Sequence, residues 1–162
     1  MSTEIAALSE REILALAISL EAEDIRIYTD LAEKIRERFP RLASVLESMR
    51  TEESSHYDRL YACYLNRVGN HIPYLRRQDV KGFVRRRPLW LQPTVSPRQI
   101  LSFVMSREAE IRRYYQSAAN QANSEDVRTL LNELAAEEED HADLLVAEVK
   151  ASKESSKATL KE

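Results

Sequence analysis

The chain has 162 residues, of which 31% are charged and 43% hydrophobic, with a net charge of −3. That length suits one domain with a real core. Two glycines cannot supply the turns of a β-sandwich or a Gly-rich phosphate loop, and one cysteine excludes an internal disulfide framework or a Cys-rich zinc site.

The start, MSTEIAALSERE, is polar and acidic, unlike a signal peptide, and the longest apolar run, Ile13 to Ile18, is far short of a membrane span. A reducing, cytoplasmic setting is the expectation. Apolar residues recur at helical spacing almost throughout. A first helix is expected over about 9–38, opened by the capping box Ser9 and Glu12 and stopped by Pro40. A second is expected over about 41–68, ended by Gly69-Asn70. The 70–95 segment breaks the pattern, with Pro73, Pro88 and Pro93, Gly82, and the aromatics Tyr74, Phe83 and Trp90. From Asn66 to Arg98 eight Lys/Arg stand against one Asp, a local +7 that leaves −10 for the rest of a −3 chain. A third helix is expected over about 97–121, with Ser96 as N-cap, Pro97 at the first position and Gln99 closing the box. A fourth, capped by Asn123 or Ser124, is expected over about 125–150, followed by a polar tail, 151–162, that reads as frayed. A connector of roughly 25 residues exceeds the usual bundle loop. The expected architecture is therefore all-α: two helical hairpins joined by a long crossover, the connectivity of ferritin-like four-helix bundles.

The halves repeat one another. Glu21 and Tyr28 recur as Glu108 and Tyr115, at an offset of 87. Glu53 and His56 recur as Glu138 and His141, at an offset of 85. Residues at i and i+3 share a helix face, and each glutamate stands about a dozen residues into its helix, near ~18 Å from its start. Antiparallel hairpins then bring four carboxylates and two imidazoles level. Four buried carboxylates need a counter-charge, and two divalent cations supply it. Oxygen-rich ligation with one imidazole per metal favours iron, with manganese possible.

Other residues leave alternatives open. Asp24, at i+3 from Glu21, reads as a further ligand or as a surface or supporting group. Tyr28 and Tyr115 read as core packing, as hydrogen-bond donors to a ligand, or as electron donors to the metal pair. Glu23, Glu52, Glu110, Glu137 and Glu139 read as surface charge, Cys63 as a buried thiol, and His71 as structural.

These doubled motifs resemble the rubrerythrin-like branch of the ferritin-like superfamily, over residues 10–148. The resemblance implies metal ligation by Glu21, Glu53, His56, Glu108, Glu138 and His141. Rubrerythrin proper carries a second glutamate three residues after its third-helix ligand, where this chain has Ile111, and a four-cysteine rubredoxin site that one cysteine cannot build. Residues 71–91, HIPYLRRQDVKGFVRRRPLWL, resemble the connector of the ferritin-like domain in membrane-bound ferritin proteins. Those fuse the domain to an iron-exporting membrane part; the 162 residues hold no such part, so either an excised domain or a stand-alone relative is expected. The basic connector itself reads as lying on the acidic bundle or as a subunit contact, with a nucleic-acid or membrane-surface role disfavoured.

The function expected is binding of two irons, with oxidation of Fe(II) by O2 or peroxide in iron handling or export. Glu53 and Glu138 are the expected bridging pair. The alternatives are a peroxide-reducing or manganese catalase-like enzyme, and an iron-responsive regulatory module without turnover. A homodimer is expected, with hairpin swapping permitted by the long connector.

Overall fold

The computed structural model describes residues 3–4, 7–71, 80–81 and 94–159. The elements run β1 (Thr3–Glu4), α1 (Glu10–Ile35), α2 (Pro40–Arg67), β2 (Val80–Lys81), α3 (Pro97–Gln121) and α4 (Glu125–Thr159). The two short strands pair in parallel, Thr3 with Val80 and Glu4 with Lys81. They set the chain's start beside the connector without altering the all-α character of the bundle.

Local chemistry explains most boundaries. Ser9 caps α1 through the reciprocal box, its backbone N–H donating to Glu12 Oε2 at 2.8 Å. Ser96 and Gln99 do the same for α3, ahead of Pro97. The first helix stops at Ile35 rather than Arg38, and Pro40 opens α2, where a missing N–H costs no helical hydrogen bond. Val68 and Gly69 then close α2 on the Tyr64 carbonyl. Gly69 turns there with φ 103°, a conformation costly for any residue with a Cβ. The fourth helix runs to Thr159, nine residues past Lys150. Residues 151–159 lack an apolar stripe but contain neither Pro nor Gly, so nothing in the backbone ends the helix there.

Helices α1 and α2 form one tight hairpin and α3 and α4 the other, with α1 facing α3 and α2 facing α4 across the seam. Glu10, at the start of α1, fastens one end of the bundle. Its Oε2 accepts from the backbone N–H groups of Asn123 and Ser124 at 3.0 and 2.9 Å, and its Oε1 accepts from Ser124 Oγ at 2.7 Å. Arg67, at the end of α2, pairs with the same carboxylate at 3.2 Å.

The core comes in two apolar layers with a polar layer between them. One contains Leu14, Leu16, Leu20, Tyr64, Ile111, Tyr115 and Leu131. The other contains Ile27, Leu31, Leu46, Met49, Ile100, Val104 and Leu145. Each helix carries the break at the same height: Glu21 and Asp24 in α1, Glu53 and His56 in α2, Arg107 and Glu108 in α3, Glu138 and His141 in α4. All eight are at most 1% exposed, an arrangement that a structure tolerates only when these charges answer one another.

Candidate metal centre

The six residues singled out by the repeat converge between the two hairpins. Their ligand atoms fall into two groups, Glu21, Glu53, His56 and Glu138, and Glu53, Glu108, Glu138 and His141, each with its atoms within 4.8 Å of one another. Glu53 and Glu138 belong to both groups. Their two oxygens divide between the groups. Glu53 Oε2 lies 2.9 Å from His56 Nδ1, and Glu53 Oε1 lies 3.3 Å from His141 Nδ1. Glu138 Oε1 lies 3.3 Å from His56 Nδ1 and Glu138 Oε2 3.6 Å from His141 Nδ1. Glu21 faces only His56, at 3.8 Å, and Glu108 only His141, at 3.1 Å. The imidazoles stack at 5.6 Å with 15° between their planes.

The hydrogen bonding fits a ligand set. Glu21 Oε2, both oxygens of Glu53 and of Glu138, and His56 Nδ1 are buried without a well-formed hydrogen bond. Buried polar atoms are almost always satisfied, so this concentration of inward-facing acceptors fits a cation. The atoms pointing away are held. Tyr28 donates to Glu108 Oε1, and Tyr115 donates to Glu21 Oε1. Each bond runs between α1 and α3, in opposite senses. His56 Nε2 donates to Glu137 at 2.9 Å and His141 Nε2 donates to Glu52 at 2.6 Å, again reciprocally between α2 and α4. Such outer bonds fix the imidazole tautomer so that Nδ1 is left for the interior.

Electrostatics divide the cluster into proton holders and charge holders. Burial first, then repulsion from Glu53 and Glu138, pushes the Glu21 carboxyl well up. Burial and Glu138 raise Glu108 to about 8. Burial also opposes charge on Glu53, yet the close imidazoles of His141 and His56 bring its pKa below the usual value. Glu138 is likewise lowered: burial and Glu53 resist its charge, and the nearby Glu108, His141 and His56 outweigh them. Burial would depress both imidazoles, but Glu138 and Glu53 lift His56 to about 11, and Glu108 leads the carboxylates that raise His141. These directions favour four protons, on Glu21, Glu108, His56 and His141, against charged Glu53 and Glu138, an assignment that leaves the metal-free cluster neutral. Two divalent cations replacing those four protons leave it neutral again.

Several expectations change. Asp24 is turned away from the cluster and forms an ion pair with Arg107 Nε, while Arg107 Nη2 reaches Glu23 at 3.0 Å. Asp24 is therefore a partner of a buried guanidinium, and Glu23 is part of that pair's surroundings. Glu52 and Glu137 are half exposed, at 45% and 42%, but their inner oxygens bond the histidines, so they are not plain surface charge. A repeated signal marks them: both precede the motif glutamate at the same offset of 85. Arg107 is missed by the repeat because its equivalent is Leu20. Glu139 does lie at the surface, beside Arg112 at 3.3 Å. Cys63 is half-buried beside the apolar layer of Leu14, Tyr64 and Leu131, and burial raises its thiol pKa. His71 is exposed, and its carbonyl accepts from Tyr64 and, at 3.2 Å, from Arg11. Tyr74, Gly82, Phe83 and Trp90 lie outside the described residues.

Four helices in two hairpins around paired carboxylate–histidine groups define a ferritin-like bundle with a candidate two-metal centre. The chain belongs to the Rubrerythrin family, whose model matches residues 12–151. A solved structure of a hypothetical protein from Pyrococcus furiosus superimposes with a TM-score of 0.73 at 22% identity, covering 92% of this chain and 95% of that one. That likeness shows the fold. No curated protein matches. Among the described residues, no helix is long and apolar enough to cross a membrane.

Proposed function

We propose that the chain binds two iron ions between its hairpins and oxidises Fe(II) with O2 or peroxide. The observation that carries this reading is the division of the Glu53 and Glu138 oxygens between two ligand groups. Glu21 and His56 would complete one position, and Glu108 and His141 the other. Iron bound there would supply the one-electron couple for reducing O2 or peroxide. The chain's residues hold the donors level, exclude water with two apolar layers, and keep the outward oxygens occupied. Tyr28 and Tyr115 fix the terminal carboxylates, so that these approach the metal through their other oxygen.

The donor set is rich in carboxylate oxygen with one imidazole per position, which favours iron and leaves manganese open. The connector's likeness to that of membrane-bound ferritins supports a place in iron handling in the cytoplasm, at a membrane face if the domain belongs to such a fusion, and a homodimer is the assembly proposed. The test is anaerobic loading with Fe(II), then rapid mixing with O2 or with H2O2 while the ferric absorption is followed. Oxidation in one of the two, lost in E53A/E138A, is the expected result. Peroxide consumption only with an added electron donor would instead indicate a peroxidase, and disproportionation of peroxide by the manganese-loaded protein a catalase-like enzyme. Iron binding with no oxidation in either arm would indicate the regulatory module.

A further inference from the structure

The repeat relates the two halves of the centre, and one outer support breaks it. Glu137, behind His56, is gripped by Arg59, whose Nη1 reaches Glu137 Oε1 at 2.7 Å while Nη2 reaches Glu133 at 2.9 Å. Glu137 thus bonds His56 through one oxygen and Arg59 through the other. By the offset of 85, the equivalent of Arg59 behind His141 is Leu144, and the equivalent of Glu133 is Ser48. Leu144 is 54% exposed and offers no donor to Glu52.

Charge alone does not distinguish the two sides. Arg59, Glu133 and Glu137 sum to one negative charge, and Leu144, Ser48 and Glu52 also sum to one. The difference is geometric. The planar, rigid guanidinium bridges Glu137 and Glu133 with one bond to each, so Glu137 is held at both of its oxygens, by Arg59 and by His56. Glu137 therefore presents a fixed acceptor to His56, and the imidazole is set before a metal arrives. Glu52, about as exposed as Glu137, has Leu144 where Glu137 has Arg59, and so keeps more of the freedom that binding must remove.

We infer that Arg59 is a positioning residue that makes the two metal positions inequivalent. The position built on His56 fills first and more tightly, and the position built on His141 fills second and exchanges. This rests on the two-metal reading above and adds an order to it.

The test is Co(II) titration of the full-length protein, followed by visible absorption and by calorimetry. The wild type should take two ions in two steps separated by roughly 10–100-fold in dissociation constant, the usual worth of an outer support. H141N should retain the first step and lose the second. R59L should keep the total at two and merge the steps, and L144R should tighten the second. Should R59L fail to fold, R59K, which keeps the charge and loses the fork, should narrow the separation. Two ions in one class in the wild type, a separation unchanged in R59L or in R59K, or loss of the first step in H141N would overturn the inference and leave the two-metal reading standing. Fewer than two ions would overturn both.

Discussion

At the scale of single residues, metal binding at the proposed centre would exchange protons for metal. Protons are favoured on Glu21, Glu108, His56 and His141 in the metal-free cluster, and each would have to leave for its atom to ligate. Loading at pH 7 should therefore release about four protons per pair of divalent ions, measurable by titration in weak buffer. His56, at about 11, and Glu108, at about 8, carry pKa values raised above their usual ones. Affinity should accordingly rise with pH across neutrality, and the proton count should fall toward three as pH passes 8, where Glu108 ionises unaided. Y28F and Y115F test the outer bonds. Each strands a buried carboxylate oxygen, so each metal-free variant should lose about 1–3 kcal/mol in denaturant unfolding. The six inward-facing residues were legible in the sequence because the repeat marks each of them twice. Glu52 and Glu137 were misread because helix position alone places them toward solvent, and only the opposing helix supplies the histidine nitrogen they bind.

At the scale of elements, two polar contacts dock the helices. The Asp24–Arg107 pair joins α1 to α3, and the repeat places Leu20 and Ile111 at the equivalent positions. Both pairs are buried, so the bundle accepts ionic and apolar solutions to the same contact. D24N should cost about 3–5 kcal/mol by leaving Arg107 without its main counter-ion. The double variant D24I/R107L, which copies the opposite side, should recover most of that loss in the same unfolding assay. Glu10 ties the α3–α4 loop to the start of α1 and the end of α2. Burial works against its charge, but bonds from Ser124 and the Arg67 cation hold its pKa below the usual carboxylate value. Its contribution is then present above the unfolded value and lost as pH falls through the lower folded one. E10Q should be destabilised by about 1–2 kcal/mol at pH 7, with the gap to the wild type closing in acid. Neither contact could be read from the chain, because both join residues about 80 to 110 positions apart that share no motif. The α1 and α3 starts, by contrast, were legible because a capping box is local.

At the scale of the whole molecule, two apolar layers enclose a polar one, and both hairpins contribute to the polar one. The four outer supports all run between hairpins: Tyr28 to Glu108, Tyr115 to Glu21, His56 to Glu137 and His141 to Glu52. Each hairpin alone would leave half the ligands and all of these supports unsatisfied. Metal should therefore act as a fastener between hairpins. Saturation at a hundred times the dissociation constant should add about 2.7 kcal/mol to unfolding, seen as a rise in Tm that E53A/E138A abolishes. One chain is proposed to hold two metals at two adjoining positions. Diffraction from iron-loaded crystals at the iron absorption edge tests it most directly. Two anomalous peaks per bundle are predicted, one among Glu21, Glu53, His56 and Glu138 and one among Glu53, Glu108, Glu138 and His141. A single peak, or none within these groups at full loading, would contradict it.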